Sequence, residues 1–312
     1  MSQKSNRKLR RTGVEHFGIQ RKIVANMTTE SWETIPHAGA NYEPDVTEFW
    51  NLFQSLRKEP EWSGITINTL MLYVITQGLK ACPALNGHIS FRRKSANGRV
   101  ETISDIDISI PMALPIGGMM TINIHNCERM RLRELSAYIG DVRRRMEKTD
   151  FNEAMFSAAL ENTVRLLAKG KIDVIARRLI GNTVGKGKMP RLNRGEKKAY
   201  LAIPESERLT KRDIEQGTIT VSNFGSVYRA SYVTPLMLEI IPPQICAIAI
   251  GGMTERPGVA AGSDGVKAMS IRKYMSFCIM FDHRALDYED TVHFMEYLDG
   301  VFAHPEVMLE WL

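Results

Sequence analysis

The sequence predicts an α/β protein with a mixed sheet packed by helices, on three observations. Segments of helical and strand period alternate along the chain, and three β-type runs, "GTITVSNFG", "ICAIAIGGM" and "YMSFCIMFD", lie in its last third. An amphipathic helix follows the last of them. The 312 residues are 44% hydrophobic and 24% charged with no long biased tract, which is enough to bury a substantial core, so one large unit with an insertion is expected.

Taken in order, "RKIVANMTT" (Arg21 to Thr29) reads as a short helix, and "SWETIPHAGANYEPDV" as extended chain broken by Pro36 and Pro44. In "DVTEFWNLFQSLRKEP", Thr47 is the expected cap of a helix with Trp50, Phe53 and Leu56 at helical spacing, ended by Pro60. "TINTLMLYVITQGLKACPALNG" reads as a more buried helix stopped at Pro83. "DIDISIPMALPIGG" has the pattern of a strand, and "RMRLRELSAYIGDVRRRMEK" that of a long amphipathic helix. In the last β-type run Met275, Phe277, Ile279 and Phe281 fall on one side. "DTVHFMEYLDGVF" closes the chain as a helix, with Val292, Met295, Leu298 and Phe302 on one face. There is no internal repeat.

Several classes of chemistry are disfavoured. Cys82, Cys127, Cys246 and Cys278 are widely spaced, form no CxxC pair and mostly sit in apolar runs, so they are expected to be reduced and free of metal. His37 and His125 show no metal-ligand spacing and are read as structural. No stretch of about 18 apolar residues occurs. The N-terminus "MSQKSNRKLRRTG" lacks the apolar segment of a secretory signal, which makes the cytoplasm the default compartment.

"FDHRALDYED" is the stretch with most chemical content. His283 stands where a strand ends and a helix is about to begin, with Asp287 four residues later. A histidine there is suited to taking a proton from a thiol or hydroxyl, and a carboxylate to orienting it. The same pair also reads as the polar end of a buried strand, and spacing alone does not separate the two.

The wider context does. "TITVSNFG", "TPLMLEIIPPQICAIAIGGM", "SFCIMFDHRALD" and a helix ending in "HPEVML", in that order, resemble the C-terminal half of the catalytic domain of 2-oxo acid dehydrogenase acyltransferases, the dihydrolipoamide acyltransferases. "RKIVANMTTESWETIPHA" and "ACPALNG" resemble earlier parts of that domain, and the likeness covers roughly residues 15–147 and 209–312. It implies a chloramphenicol acetyltransferase-like fold, a two-layer α+β sandwich that forms trimers with the active site between subunits. It further implies that His283 is the base that deprotonates the acceptor, that Asp287 is the second motif residue, and that Ser222 is the hydroxyl that stabilises the oxyanion.

The co-substrate implied is a coenzyme A thioester, or another phosphopantetheine thioester, with a thiol, hydroxyl or amine as acceptor. A thioester is already activated, so transfer needs a base, a positioned acceptor and an oxyanion donor, but neither a metal nor a catalytic cysteine. Structural readings stand beside these roles. Ser222 can make a strand-end turn, and Asp287 can cap the following helix, the role favoured for it. Asp282 is expected to hold the loop, Arg284 to join an ion pair, and His37 to be structural or to line the acyl channel.

The chain departs from the family pattern in three places. Tyr288 stands where the family has glycine, which implies a reshaped loop or a tyrosine lining the acceptor pocket. Only about 20 residues precede the first matching helix, too few for a lipoyl or subunit-binding module. Residues 1–20 are therefore read as a basic arm and 21–312 as the catalytic domain, with no covalently bound lipoyl group on this chain.

Residues 148–208 form the third departure, a basic helical insertion. "FNEAMFSAALENTVRLLAKG" and "KIDVIARRLIGN" read as amphipathic helices, followed by a basic loop "GKGKMPRLNRGEKK". Residues 151–200 carry eleven Lys or Arg against four Asp or Glu, a net +7, whereas the whole chain carries +6. Two readings are open: a hairpin packed on the core with solvated charges, or a surface for coenzyme A phosphates, an acidic carrier protein or a membrane. Nucleic acid is disfavoured, because the loop has no interleaved aromatic residues.

The activity expected is that of a stand-alone acyltransferase. The alternatives are an acyltransferase component of a 2-oxo acid dehydrogenase complex acting on a lipoyl domain of another chain, and a non-catalytic trimeric scaffold. The presence of both His283 and Ser222 argues against the scaffold.

Overall fold

A computed structural model describes residues 12–114, 117–155, 192–226, 233–261 and 265–312. Its strands are β1 (His37–Tyr42), β2 (Gly87–Arg92), β3 (Asn97–Thr102), β4 (Ile108–Ala113), β5 (Met119–Ile124), β6 (Ile219–Asn223), β7 (Cys246–Ala261) and β8 (Lys267–Asp282). Its helices are α1 (Ile19–Thr34), α2 (Thr47–Leu56), α3 (Ile67–Ala81), α4 (Leu132–Glu147), α5 (Arg194–Ala202), α6 (Lys211–Ile214) and α7 (Val292–Ala303). Six strands form a mixed sheet in the order β1-β8-β7-β6-β4-β5, with β6 parallel to both β4 and β7 and the other pairs antiparallel. β2 and β3 form a separate hairpin.

Strand alternation sorts the sheet into two faces. Cys246, Ile248, Ile250, Phe277, Ile279 and Phe281 enter the main core with Phe49 and Phe53 of α2, Leu70 and Ile75 of α3, and Phe294 and Leu298 of α7. The small residues Ala247, Ala249 and Cys278, with Met280, form the other face and pack with Ile35 and Ile240. This is the mixed α/β arrangement expected. The alternating residues of β8 fall as expected too, because a period of two leaves each side chain one choice of face.

Several boundaries differ from expectation. α1 runs five residues past Thr29, to Thr34, with the Thr28 and Thr34 hydroxyls donating back to the Val24 and Glu30 carbonyls, and it stops at Ile35, where the following proline disfavours helix. Thr47 is the first residue of α2 rather than its cap. Its N–H and hydroxyl both donate to Asp45 Oδ1, at 2.9 and 2.5 Å, so Asp45 satisfies the helix end. In α7 Leu298 and Phe302 are buried and Met295 packs against the core, as expected, and Phe294 and Val301 join them, whereas Val292 at the first turn is exposed.

β7 and β8 were expected as short buried runs, yet each spans 16 residues. Past a register shift between Ile250 and Met253 they continue as a two-stranded arm that pairs Val259 with Met269 and Pro257 with Ile271, largely exposed. The end of the segment read as a basic loop is helical, because Asn193 caps α5: its Oδ1 accepts the Glu196 N–H at 2.9 Å while Glu196 accepts the Asn193 N–H. The rest of the two expected amphipathic helices, from residue 156 to 191, lies outside the described residues, as do residues 1–11 of the expected arm.

Candidate active site

β8 delivers its last residue, Asp282, fully buried. The Asp282 carboxylate accepts the Arg284 backbone N–H at 3.0 Å and Arg284 Nε–H at 2.9 Å, so charge and backbone are satisfied by the same neighbour. The Asp282 carbonyl accepts the N–H groups of Ala285 and Leu286, which turns the chain sharply. The His283 N–H donates to the Pro36 carbonyl at 3.0 Å, fixing the turn to the entry of β1. Arg284 also covers the Phe91 ring. Asp282 thus holds the loop and Arg284 is its ion-pair partner, as expected of each.

The turn fixes the His283 ring. Its Nδ1 lies 3.1 Å from the Leu286 carbonyl oxygen and 3.2 Å from Asp287 Oδ1. A carbonyl oxygen only accepts, so Nδ1 carries the hydrogen and the lone pair of the neutral ring is on Nε2. The side chain is 46% exposed. Phe281 and Tyr288 stand edge-on to it with centroids at 5.8 and 6.2 Å, and to each other at 5.2 Å. What results is a held, half-exposed imidazole whose Nε2 has no hydrogen-bond partner among the described residues.

Asp287 lies at the start of a helical turn and beside His283. It starts the single turn Tyr288–Thr291, its N–H donating to Asp290 Oδ2 at 2.7 Å, and its carboxylate meets His283. At 79% exposure that carboxylate contributes little to holding the ring.

Ser222 is elsewhere in the chain. It is the next-to-last residue of β6, opposite Ala249 of β7, which pairs with Cys278 of β8. His283 is five residues past Cys278 and two strands away from β6, so register sets the two side chains ~16 Å apart along the strands and ~10 Å across them. The structure therefore brings His283 and Asp287 together in one chain and leaves Ser222 apart from them. The turn after Ser222 is close-packed: a Cβ at Gly225 would stand 2.8 Å from the Gly251 carbonyl oxygen, so only glycine fits.

Of the other histidines, His37 is fully engaged. Nδ1 donates to the Ile35 carbonyl at 3.0 Å, Nε2 accepts the Ile240 N–H at 3.2 Å, and the ring lies against Trp32. This fits the structural reading and leaves neither nitrogen for a substrate.

His125 belongs to a cluster that sequence reasoning missed. Nδ1 faces Asp107 Oδ2 and Nε2 faces the Arg212 carbonyl, both at 2.9 Å, so two acceptors call for two ring hydrogens, the imidazolium form. The hydrogen bond to Asp107 raises the His125 pKa, with burial opposing it. Burial would raise the Asp107 pKa, but the bonds from His125 and from the Asn126 N–H bring it below the ordinary carboxylate value. Nearby, buried Arg145 pairs with Asp213 at 2.9 Å. The two contacts tie α6, which leads into β6, to β4, β5 and α4. The isolated histidine after an alternating strand in "NIHN" was the available signal, but its partner is 18 residues upstream.

Burial pushes all four thiols up, furthest at Cys127 and Cys246. Among the described residues no three His, Cys, Asp or Glu side chains gather as a metal would require. No described helix is long and apolar enough to cross a membrane.

Comparison with known proteins follows the same lines. The family described as 2-oxoacid dehydrogenases acyltransferase (catalytic domain) matches residues 9–159 and 196–310. The dihydrolipoyllysine-residue succinyltransferase component of the Saccharomyces cerevisiae mitochondrial 2-oxoglutarate dehydrogenase complex is 33% identical over 104 residues, 33% of this chain and 20% of that protein's length. The chain therefore matches only about a fifth of that relative. Among solved structures, the Azotobacter vinelandii dihydrolipoamide acetyltransferase superposes over 95% of this chain and 94% of its own, with TM-score 0.62 and 16% identity. The cubic core of the pyruvate dehydrogenase multienzyme complex does so over the same shares, with TM-score 0.61 and 16% identity.

Proposed function

The chain belongs to the 2-oxoacid dehydrogenase acyltransferase family, and from that premise we propose that it transfers an acyl group between coenzyme A and a thiol acceptor, with His283 as general base. The observation that carries this reading is the half-exposed imidazole whose Nδ1 is tied to the Leu286 carbonyl, with Nε2 unpartnered among the described residues. The acceptor best supported is a dihydrolipoyl group carried by another chain, the group named in the relatives. In the forward step Nε2 takes the acceptor S–H proton as the sulfur attacks the thioester carbonyl. Ser222 Oγ donates to the oxyanion of the tetrahedral intermediate. Collapse breaks the bond between carbonyl carbon and coenzyme A sulfur, and the imidazolium returns the proton to the departing thiolate.

The Azotobacter enzyme's catalytic mechanism involves a serine, a histidine and an asparagine four residues beyond that histidine. Ser222, His283 and Asp287 repeat the order and the four-residue step, with a carboxylate in place of the amide. Because register keeps Ser222 far from His283 in one chain, the reading calls for a second copy to bring its Ser222 to His283. The likeness to a cubic core supports a trimer, or an assembly of trimers, as the working form.

The test is incubation of the purified protein with acetyl-CoA or succinyl-CoA and dihydrolipoamide, with the acylated product followed by mass spectrometry. Acyl-dihydrolipoamide that forms with the wild type and not with His283→Ala is the expected result. No transfer from either donor overturns the reading.

A further inference from the structure

The space around His283 is unevenly occupied. The Nδ1 edge is closed by the Leu286 carbonyl and Asp287. Of the two rings packed against the imidazole, Phe281 is fully buried and faces the core, whereas Tyr288 is 54% exposed. Tyr288 is therefore the aromatic wall on the solvent side of the base. Its ring is held in turn by edge contact with Phe281. Tyr288 opens the single turn that Asp287 and Asp290 close, so its backbone is fixed as well. The Tyr288 ring is centred 6.2 Å from the imidazole, within reach of the carbon chain behind a thiol that approaches Nε2 to about 3 Å.

We propose that Tyr288 is the acceptor-selecting residue of this site: its ring admits a sulfhydryl on an unbranched aliphatic arm and excludes one on a branched carbon. The proposal rests on acyl transfer to a thiol at His283. The physical basis is steric. An aromatic side chain anchored along two edges cannot withdraw from a methyl branch without losing its contact with Phe281, whereas a straight arm passes along its face and makes dispersion contacts with it. Discrimination against one additional methyl group in such a setting is on the order of tenfold or more.

The experiment compares wild type, Tyr288→Gly and Tyr288→Leu in acyl transfer from the active donor to dihydrolipoamide and to N-acetylpenicillamine amide, whose sulfur sits on a doubly branched carbon. Intrinsic thiol reactivity cancels when the ratio of the two kcat/KM values is compared between variants. Tyr288→Gly is expected to shift that ratio about tenfold or more toward the branched thiol, with donor KM unchanged and Tyr288→Leu intermediate. A ratio within about twofold of wild type for Tyr288→Gly overturns the proposal. Should wild type transfer no acyl group to either thiol, the functional reading fails separately, and binding decides the proposal. Saturation-transfer NMR of dihydrolipoamide must then show signal with wild type that Tyr288→Gly loses. Equal signal, or none with either, overturns it.

Discussion

The Leu286 carbonyl oxygen stands 3.1 Å from Nδ1 of His283, three residues before it and across the turn that Asp282 builds. Backbone rather than side chain thus sets the tautomer of the ring, so substitutions around His283 should separate into those that remove the imidazole and those that leave its orientation intact.

His283→Ala should lower kcat by at least about a hundredfold, the usual cost of removing a general base. Because the ring is nearly half exposed, the melting temperature should stay close to wild type. Steady-state kinetics and calorimetry on the same preparation check both halves, and near wild-type turnover would remove His283 from the mechanism.

Asp287 and Asp282 should behave in opposite ways. Asp287→Ala leaves the Leu286 contact in place and removes an exposed pair worth about 0.2–1 kcal/mol, so kcat should fall by less than about tenfold. Asp282→Asn breaks a buried, charge-assisted contact to Arg284, at a cost of about 2 kcal/mol in stability. Urea unfolding curves set against turnover distinguish the two, and a larger stability loss in Asp287→Ala would reverse the assignment.

Ser222→Ala should reduce kcat by about a hundredfold or more while leaving donor KM unchanged, since the role proposed for its hydroxyl is to act on charge present only in the transition state. The register separation between Ser222 and His283 adds a sharper expectation. Unfolding Ser222→Ala and His283→Ala together and refolding the mixture should restore part of the activity, because some sites then combine the two intact residues from different chains. No recovery after verified mixing would mean that each site is built from one chain.

His125 should make stability depend on pH. Its folded pKa is raised, chiefly by the hydrogen bond to Asp107, so its contribution is complete below the ordinary imidazole value of about 6.5 and is lost as pH rises through the raised value. The lowered pKa of Asp107 acts in the other sense: its contribution is present above the ordinary carboxylate value and fades as pH falls through the lowered one. Melting temperatures of wild type and His125→Gln across mildly acidic to alkaline pH should converge as pH rises. A constant gap would show that His125 is not charged in the folded state.

How much of this was legible in the sequence depended on the range of the interactions involved. The β8 alternation from Met275 to Phe281 and the position of His283 after it depend on period and order, which a linear string carries. How far along α7 the buried face extends depends on packing, and Val292 was counted on that face for that reason. The long arm of β7 and β8 was missed because Val259, Met269 and Ile271 are exposed and so leave no clean inside-outside alternation. Ser222 could be picked out by motif, but its separation from His283 follows from strand order. The His125 cluster joins residues 107, 125 and 212, which no local window spans.

One consequence lies in the order in which the chain is made. β1 is an edge strand whose neighbour in the sheet is β8, with His37 opposite Asp282, some 245 positions later. A nascent polypeptide emerging from the ribosome must carry β1 unpaired until nearly all of the chain has been synthesised, and pairing over such a span makes for slow closure. The same late event brings the Pro36 carbonyl to the His283 N–H. A polypeptide interrupted shortly before Phe277 would therefore lack His283 and the end of β8 that pairs with β1, and would leave β1 open to pairing with other chains.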